Sequence, residues 1–125
     1  MRVNLIYFSD TDRTAKVIKE IGSAISDELF ENDITLEENR NEGLVFTEKD
    51  LVIVGVPVYA GRVPKFLVEY SNKVKGNNTL VIFVVTYGNR AYEDALLELK
   101  NTFEENGFIG VGAIAFVGDI LILSF

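Results

Sequence analysis

The sequence contains neither cysteine nor histidine among its 125 residues. Without cysteine the chain forms no disulfide, presents no thiolate nucleophile and supplies no ligand for an iron–sulfur cluster. Without histidine it lacks the imidazole that acts as general base in many enzymes and is the commonest zinc ligand. Thiol chemistry, imidazole catalysis and ordinary zinc or iron–sulfur sites are therefore excluded.

Positive charge is also scarce, with 12 lysines and arginines against 19 aspartates and glutamates, so that the formal net charge is -7. This surplus of negative charge favours solubility and a partner with a basic surface, and it argues against nonspecific binding to nucleic acid. No signal segment opens the chain, and its apolar stretches are too short to cross a membrane. We expect a cytoplasmic protein that binds neither nucleic acid nor membranes.

The overall composition is that of an ordinary soluble protein, with 48% hydrophobic and 25% charged residues. A chain of this length can bury a core of its own. We therefore expect one domain that covers residues 1–125.

Apolar residues recur with two different spacings along the chain. The run Val3 to Phe8 is short, β-branched and aromatic, which predicts a strand. The three- and four-residue spacing of apolar positions from Val17 to Leu29 predicts a helix. A short second strand is expected at Asp33 to Leu36, and the polar stretch Glu37 to Lys49 is expected to be a loop.

The same alternation continues through the second half of the chain. Three further strands are predicted at Leu51 to Val56, Leu80 to Val85 and Val111 to Val117. The first two are apolar enough to be buried on both faces of a sheet. A helix that starts near Pro64 separates the first two of these strands, and a helix from Ala91 to Phe103 separates the last two.

Strands that alternate with helices predict right-handed crossovers and a doubly wound parallel sheet. The expected fold class is α/β, with a five-stranded parallel sheet in the order 2-1-3-4-5. In this order the winding reverses between the first and third strands, and a ligand binds there over the carboxyl ends of the strands. No helix pattern follows the fifth strand, so we expect the last helix of such a fold to be missing.

Polar loops follow three of the predicted strands, and together they form the candidate site. The first is rich in hydroxyl groups and precedes a helix, whose unpaired N–H groups and dipole favour an anion such as a phosphate. The loops are Ser9-Asp10-Thr11-Asp12-Arg13-Thr14, Pro57-Val58-Tyr59-Ala60-Gly61 and Thr86-Tyr87-Gly88-Asn89-Arg90.

The first loop resembles the phosphate loop of flavodoxins, with Thr11 and Thr14 on the pattern and Asp12 where the family usually has glycine. The strings VGVPVYAGRVP and VVTYGNRAYEDALLEL look like the flavodoxin-like half of bacterial proteins that fuse this domain to an iron–sulfur ferredoxin module. The similarity covers about residues 3–118. It implies FMN binding and electron transfer with a redox partner protein, such as a ferredoxin-type module.

The resemblance also implies roles for single residues. Tyr59 and Tyr87 would flank the flavin ring, although each could equally cover the end of the sheet. Gly61 and Gly88 would let the main chain approach the ring closely, and Asn89 would offer its amide to the pyrimidine edge. Arg62 and Arg90 would place positive charge near the flavin or stay solvated.

Asp12 stands at a position that glycine occupies in the pattern, so we expect its φ to be positive. Its carboxylate repels a phosphate unless it turns away or is paired, and the adjacent Arg13 can neutralise it.

Three alternatives to the carrier function come from the residues, and two of them remain open. A flavodoxin-like activator of ribonucleotide reductase has similar Val-Pro-Lys and Gly-Asn-Arg strings and requires a specific protein partner. A degenerate domain that has lost its flavin would act only in protein interaction. A phosphoacceptor receiver domain needs an aspartate at the end of the third strand, where this chain has Pro57, so we discount it.

The last residues, Ile120 to Phe125, are apolar and too few for a membrane span. We expect this segment to cover a sheet face or to pair with a neighbouring chain, most simply by sheet extension, so that the protein is a homodimer or higher oligomer.

Overall fold

A computed structural model describes residues 1–9, 12–59, 62–87, 93–117 and 120–124. For Tyr87, Val117 and residues 120–124 it describes only the main chain. The elements, in chain order, are β1 (Arg2–Tyr7), α1 (Arg13–Ile25), β2 (Leu29–Asp33), a 3-10 helix (Glu37–Arg40), β3 (Leu44–Val45), β4 (Asp50–Pro57), α2 (Lys65–Ser71), β5 (Val74–Lys75), β6 (Thr79–Tyr87), α3 (Glu93–Glu105), β7 (Phe108–Val117) and β8 (Ile120–Ser124).

The main sheet has the strand order β2-β1-β4-β6-β7-β8, and its first five strands are parallel. Numbered among the five parallel strands alone, this is the predicted order 2-1-3-4-5, and all three predicted helices are present. The α/β fold class is thus confirmed. The winding reverses between β1 and β4, which places the switch point where the sequence predicts it.

Helices cover both faces of the sheet. All eight residues of β4 are buried, as expected for a central strand between two parallel neighbours. On one face, fully buried Ile18 of α1 belongs to a cluster with Ile53 and Val84. On the other face α2 and α3 pack against the strands, and the rings of Phe83 and Phe103 lie 5.5 Å apart in an edge-to-face contact.

The amino ends of β1 and β4 are joined by a buried carboxylate. Asp50 is 1% exposed and accepts hydrogen bonds from Arg2 Nε at 2.9 Å, Asn4 Nδ2 at 3.1 Å and the Thr47 N–H at 2.9 Å. Burial raises the pKa of Asp50, but these donors outweigh burial and hold the pKa at about 2. This network stabilises the end of the sheet opposite the predicted loops.

The second strand is not where the sequence predicts it. Leu29–Asp33 forms β2, and Leu29, expected at the end of the first helix, pairs with Val3 of β1. α1 instead ends at Ile25. The predicted strand from Asp33 to Leu36 was therefore wrong by several residues, because pairing with β1, and not local preference, sets the position of this half-exposed edge strand.

The predicted loop from Glu37 to Lys49 also contains structure. It begins with the 3-10 helix and then forms β3, which pairs with β5 in a separate two-stranded parallel sheet. Strands of two residues carry no periodic signal, so only the tertiary contact between the two segments reveals them.

The apolar segment near the end of the chain extends the sheet, as expected, but it does so within its own chain. β8 runs antiparallel to β7, in register from Val117–Ile120 to Ala113–Ser124. Only two residues separate these strands, the length of a tight hairpin connection, which makes pairing within the chain the shortest route. The predicted homodimer through this segment stays a prediction. No helix in the described part of the chain has the length and apolar character needed to cross a membrane.

Candidate functional site

Thr86 joins the three strand ends that the sequence predicts as one site. Its carbonyl accepts the N–H of Val58, in the second loop, at 3.0 Å. Its hydroxyl oxygen lies 2.7 Å from that of Thr14, in the first turn of α1. Thr14 and Thr86 are only 3% and 4% exposed. Thr86 thus connects the end of β6 with the residue that follows β4 and with the first turn of the helix that follows β1.

Ser9 fixes the start of α1 to the end of β1. Its hydroxyl oxygen accepts the N–H of Ala15 at 3.0 Å, in the manner of a helix cap. Its own N–H donates to Thr35 Oγ1 at 2.9 Å. The predicted phosphate loop is therefore braced from the loop that follows β2.

The sequence did not predict this contact between the loop after β2 and the first loop. Arg40 Nη1 donates to the carbonyls of Ile34 at 2.7 Å and Thr35 at 3.1 Å, and its guanidinium lies 4.6 Å from the centre of the Phe66 ring. Phe66 in turn contacts Phe8, with ring centres 5.2 Å apart. Because Thr35 was assigned to a strand, nothing in the sequence pointed to its hydroxyl as a contact of the first loop.

Asp12 has the positive φ that its place in the pattern predicts. It is the N-terminal cap residue of α1 with φ 60° and ψ -8°, in the left-handed region. Its carbonyl accepts the N–H of Lys16 at 3.0 Å, while its exposed carboxylate makes no capping hydrogen bond. Arg13, directly after it, is the first residue of the helix and is half-buried. The main chain thus takes a glycine-like path although a side chain is present.

Gly55 lets α1 approach β4 closely. A Cβ at this position would lie 2.9 Å from Ile18 Cδ1 and 3.1 Å from Thr14 Cγ2, closer than side chains normally pack. Because glycine has no side chain, the first turns of α1 can pack close to β4 at the switch point. Gly55 lies in one of the strings that carry the resemblance, but it was not predicted as a site residue.

The second loop combines a buried stem with an accessible ring. Pro57 and Val58 are buried, whereas Tyr59 is 47% exposed. Tyr59 and Arg62 exchange two main-chain hydrogen bonds of 2.8 and 2.9 Å, which closes the loop. The half-exposed ring is compatible with both interpretations of Tyr59, as a flavin contact or as a cover for the sheet end.

Some predicted site residues lie outside the described part of the chain. They are Asp10, Thr11, Ala60, Gly61, Gly88, Asn89 and Arg90. For Tyr87 the structure gives the main chain, as the last residue of β6. The structure therefore brings together Ser9, Thr14, Val58 and Thr86, and it tests no ligand contact.

The sequence matches a known protein family over most of its length. A family model described as a flavodoxin domain matches residues 4–115, which is most of the chain. The chain belongs to the flavodoxin family. No curated protein matches it significantly.

Solved flavodoxin structures share the fold at low sequence identity. The flavodoxin of Streptococcus pneumoniae TIGR4 is 15% identical, with a TM-score of 0.66 over 94% of this chain and 84% of that one. The two-electron-reduced flavodoxin of Megasphaera elsdenii is 16% identical, with a TM-score of 0.59 over 94% of this chain and 87% of that one. At these identities the likeness establishes the flavodoxin fold alone.

Proposed function

We propose that this flavodoxin domain is an FMN-binding electron carrier. The observation that carries the proposal is the junction at Thr86, which holds the three predicted loops together at the carboxyl ends of β1, β4 and β6. FMN binds at this switch point in flavodoxin-like sheets. The family implies a flavin cofactor, usually FMN.

The described residues fit the phosphate end of FMN. α1 has 13 residues, so its first turn presents the positive end of a helix dipole, and Asp12 holds the glycine-like turn before it. Ser9 and Thr14 place hydroxyl groups on the same turn. The carboxylate of Asp12 opposes an anion, and we expect it to weaken phosphate binding without preventing it.

We expect the second and third loops to form the ring end of the site. An aromatic ring such as that of Tyr59 can bury the flat apolar flavin by stacking, while main-chain groups meet its polar edge. Bound FMN would supply the redox chemistry by taking up and releasing electrons. The protein then only binds the cofactor and shields it from water, a role that needs no cysteine or histidine.

The competing functions lack a specific observation in their favour. Pro57 ends β4, the third parallel strand, where a phosphoacceptor receiver needs its aspartate. Among the residues that the structure describes, no contact distinguishes the ribonucleotide reductase activator from an ordinary carrier. A flavin-free interaction domain would have no need of the glycine-like turn at Asp12, which costs free energy in a residue with a side chain.

The redox partner is part of the proposal. The net charge of -7 favours a partner with a basic surface, and the resemblance to fused proteins favours a ferredoxin-type module as that partner. We place the carrier in the cytoplasm, which fractionation of the source cells tests.

Titration of the purified protein with flavins tests the function. We expect flavin absorption bands and quenched flavin fluorescence with FMN, at micromolar or tighter affinity, weaker binding of riboflavin, and no comparable binding of FAD. We expect the first loop to hold one terminal phosphate, and the sequence contains no dinucleotide glycine fingerprint. Circular dichroism confirms folding in the same samples. A folded protein that binds no FMN would refute the carrier function.

A further inference from the structure

We propose that Thr86 is a positioning residue, which orients the hydroxyl of Thr14 toward the phosphate of the cofactor. The inference rests on the proposed function, because it concerns the affinity of the same site for FMN. It assigns to Thr86, which lies outside the phosphate loop, an indirect influence on how tightly that loop holds an anion.

The geometry fixes the side chain of Thr14 from two sides. Its methyl group lies over Gly55, where an added Cβ would come within 3.1 Å of it. Its hydroxyl oxygen lies 2.7 Å from Thr86 Oγ1, and both side chains are almost fully buried. With the methyl group against β4 and the oxygen against β6, Thr14 is held in one orientation.

The number of protons in the pair explains why this matters for an anion. Each hydroxyl can donate one proton and accept two hydrogen bonds, and the bond between them uses one of the two protons. If Thr86 donates, Thr14 keeps its proton for a third group. Charge-assisted hydrogen bonds are stronger than neutral ones, so a phosphate at the start of α1 favours this arrangement. Thr86 then acts on the phosphate only through Thr14.

The readout is the ratio of the dissociation constants of riboflavin and FMN. Riboflavin carries the same ring but no phosphate, so the ratio measures the phosphate contribution separately from the ring contribution. In Thr86→Val, which keeps the shape and removes the hydroxyl, we expect the ratio to fall about 5- to 10-fold. Thr86→Ser, which restores the hydroxyl, is expected to retain the wild-type ratio.

A matched control lies at the other end of the same strand. Thr79 is fully buried and its hydroxyl donates to the carbonyl of Thr47 at 2.8 Å. Thr79→Val therefore also removes a buried hydroxyl from β6. We expect it to lower stability and leave the ratio unchanged, which separates a loss of stability from a loss of phosphate affinity.

A double-mutant cycle decides whether Thr86 acts through Thr14. Thr14→Val should lower the ratio at least as much as Thr86→Val, and the double valine variant should lower it no further. Thr86→Val leaves the hydroxyl of Thr14 unpaired, and this variant could fail to fold for that reason. The double valine variant has no unpaired hydroxyl, so it is then compared with Thr14→Val, and the two must give the same ratio. An unchanged ratio in Thr86→Val, or additive effects in the cycle, refutes the positioning role in a protein that still binds FMN. Failure of the wild type to bind FMN refutes the proposed function, and the positioning role with it.

Discussion

Removing the charge of Asp12 should strengthen FMN binding. Asp12 begins α1 with φ 60°, and its exposed carboxylate makes no capping hydrogen bond. Asparagine has almost the same shape and also tolerates the left-handed conformation, so Asp12→Asn removes only the charge. Asp12→Gly removes the charge and the side chain together. The comparison separates electrostatic repulsion from main-chain strain.

The expected size of the effect follows from Coulomb's law. Two unit charges 4 Å apart in water interact with about 1 kcal/mol, so a carboxylate at that distance from a phosphate of charge near -2 costs about 2 kcal/mol, and about half of that at twice the distance. Asp12→Asn should therefore tighten FMN binding roughly 5- to 30-fold. The same change removes a favourable charge from the helix N-terminus and should destabilise the free protein by about 0.3 to 1 kcal/mol.

The two variants should differ little in affinity if charge dominates. Glycine relieves about 1 kcal/mol of left-handed strain but increases the entropy of the unfolded chain by a similar free energy, so Asp12→Gly, which loses the same charge, should be about as stable as Asp12→Asn.

The assay is a fluorescence titration with FMN and riboflavin at low and high salt. We expect the gain in FMN affinity to shrink at high salt, because the screening length falls to about 3 Å at 1 M, and riboflavin affinity to change little. Asp27→Asn, a change of an exposed aspartate beyond the other end of α1, makes the same change in net charge and should have no effect. Unaltered FMN affinity in both Asp12 variants at every salt concentration would refute a phosphate site at this turn.

Three further predictions concern stability and assembly. Asp50→Asn should cost up to about 2.5 kcal/mol of unfolding free energy at pH 7. Because folding lowers the pKa of Asp50 from 3.8 to about 2, its contribution to stability is complete above pH 3.8 and is lost as the pH falls through about 2. Urea unfolding of the wild type and of the variant at pH 7 and pH 2 checks this. The same difference in unfolding free energy between the two proteins at both pH values would contradict it. Gly55→Ala should lower the free energy of unfolding by about 1 to 3 kcal/mol and weaken FMN binding, since its Cβ would meet Ile18 at 2.9 Å. Thermal unfolding measures the effect on stability. An unchanged stability would mean that α1 moves away from the sheet with no loss of free energy, and would contradict the prediction. Finally, we expect the full chain to sediment as a dimer through the outer edge of β8, where the sequence is uncharged, and a chain that ends at Val117 to sediment as a monomer; a monomeric full chain would rule this interface out.

The central strands and the helices could be predicted from the sequence because their signals are local. The apolar runs in β4 and β6 exceed what a half-exposed strand requires, which identifies strands buried on both faces. Their alternation with periodic helical segments then leaves few topologies other than the one observed. The positive φ of Asp12 was predictable for the same reason, since it follows from the position of one residue in a short motif.

The antiparallel pairing of β7 with β8 also has a local signal, although the segment was expected to cover a sheet face or to pair with a neighbouring chain. Two strand-like segments are separated there by Gly118-Asp119, a dipeptide typical of hairpin connections. The sequence thus holds a signal for pairing within the chain, while the homodimer through this segment stays a prediction.

Other features depend on partners that are distant in the chain. β2 is a half-exposed edge strand whose position follows from its register with β1, and the two-residue strands β3 and β5 exist only as a pair. Thr14 and Thr86 are 72 positions apart, and Thr35 reaches Ser9 across 26. Local sequence determines which segments bury their side chains. Which hydroxyl groups meet at the candidate site was decided only when the sheet brought the three strand ends together, because a hydrogen bond requires a distance and a direction that no spacing in the sequence contains.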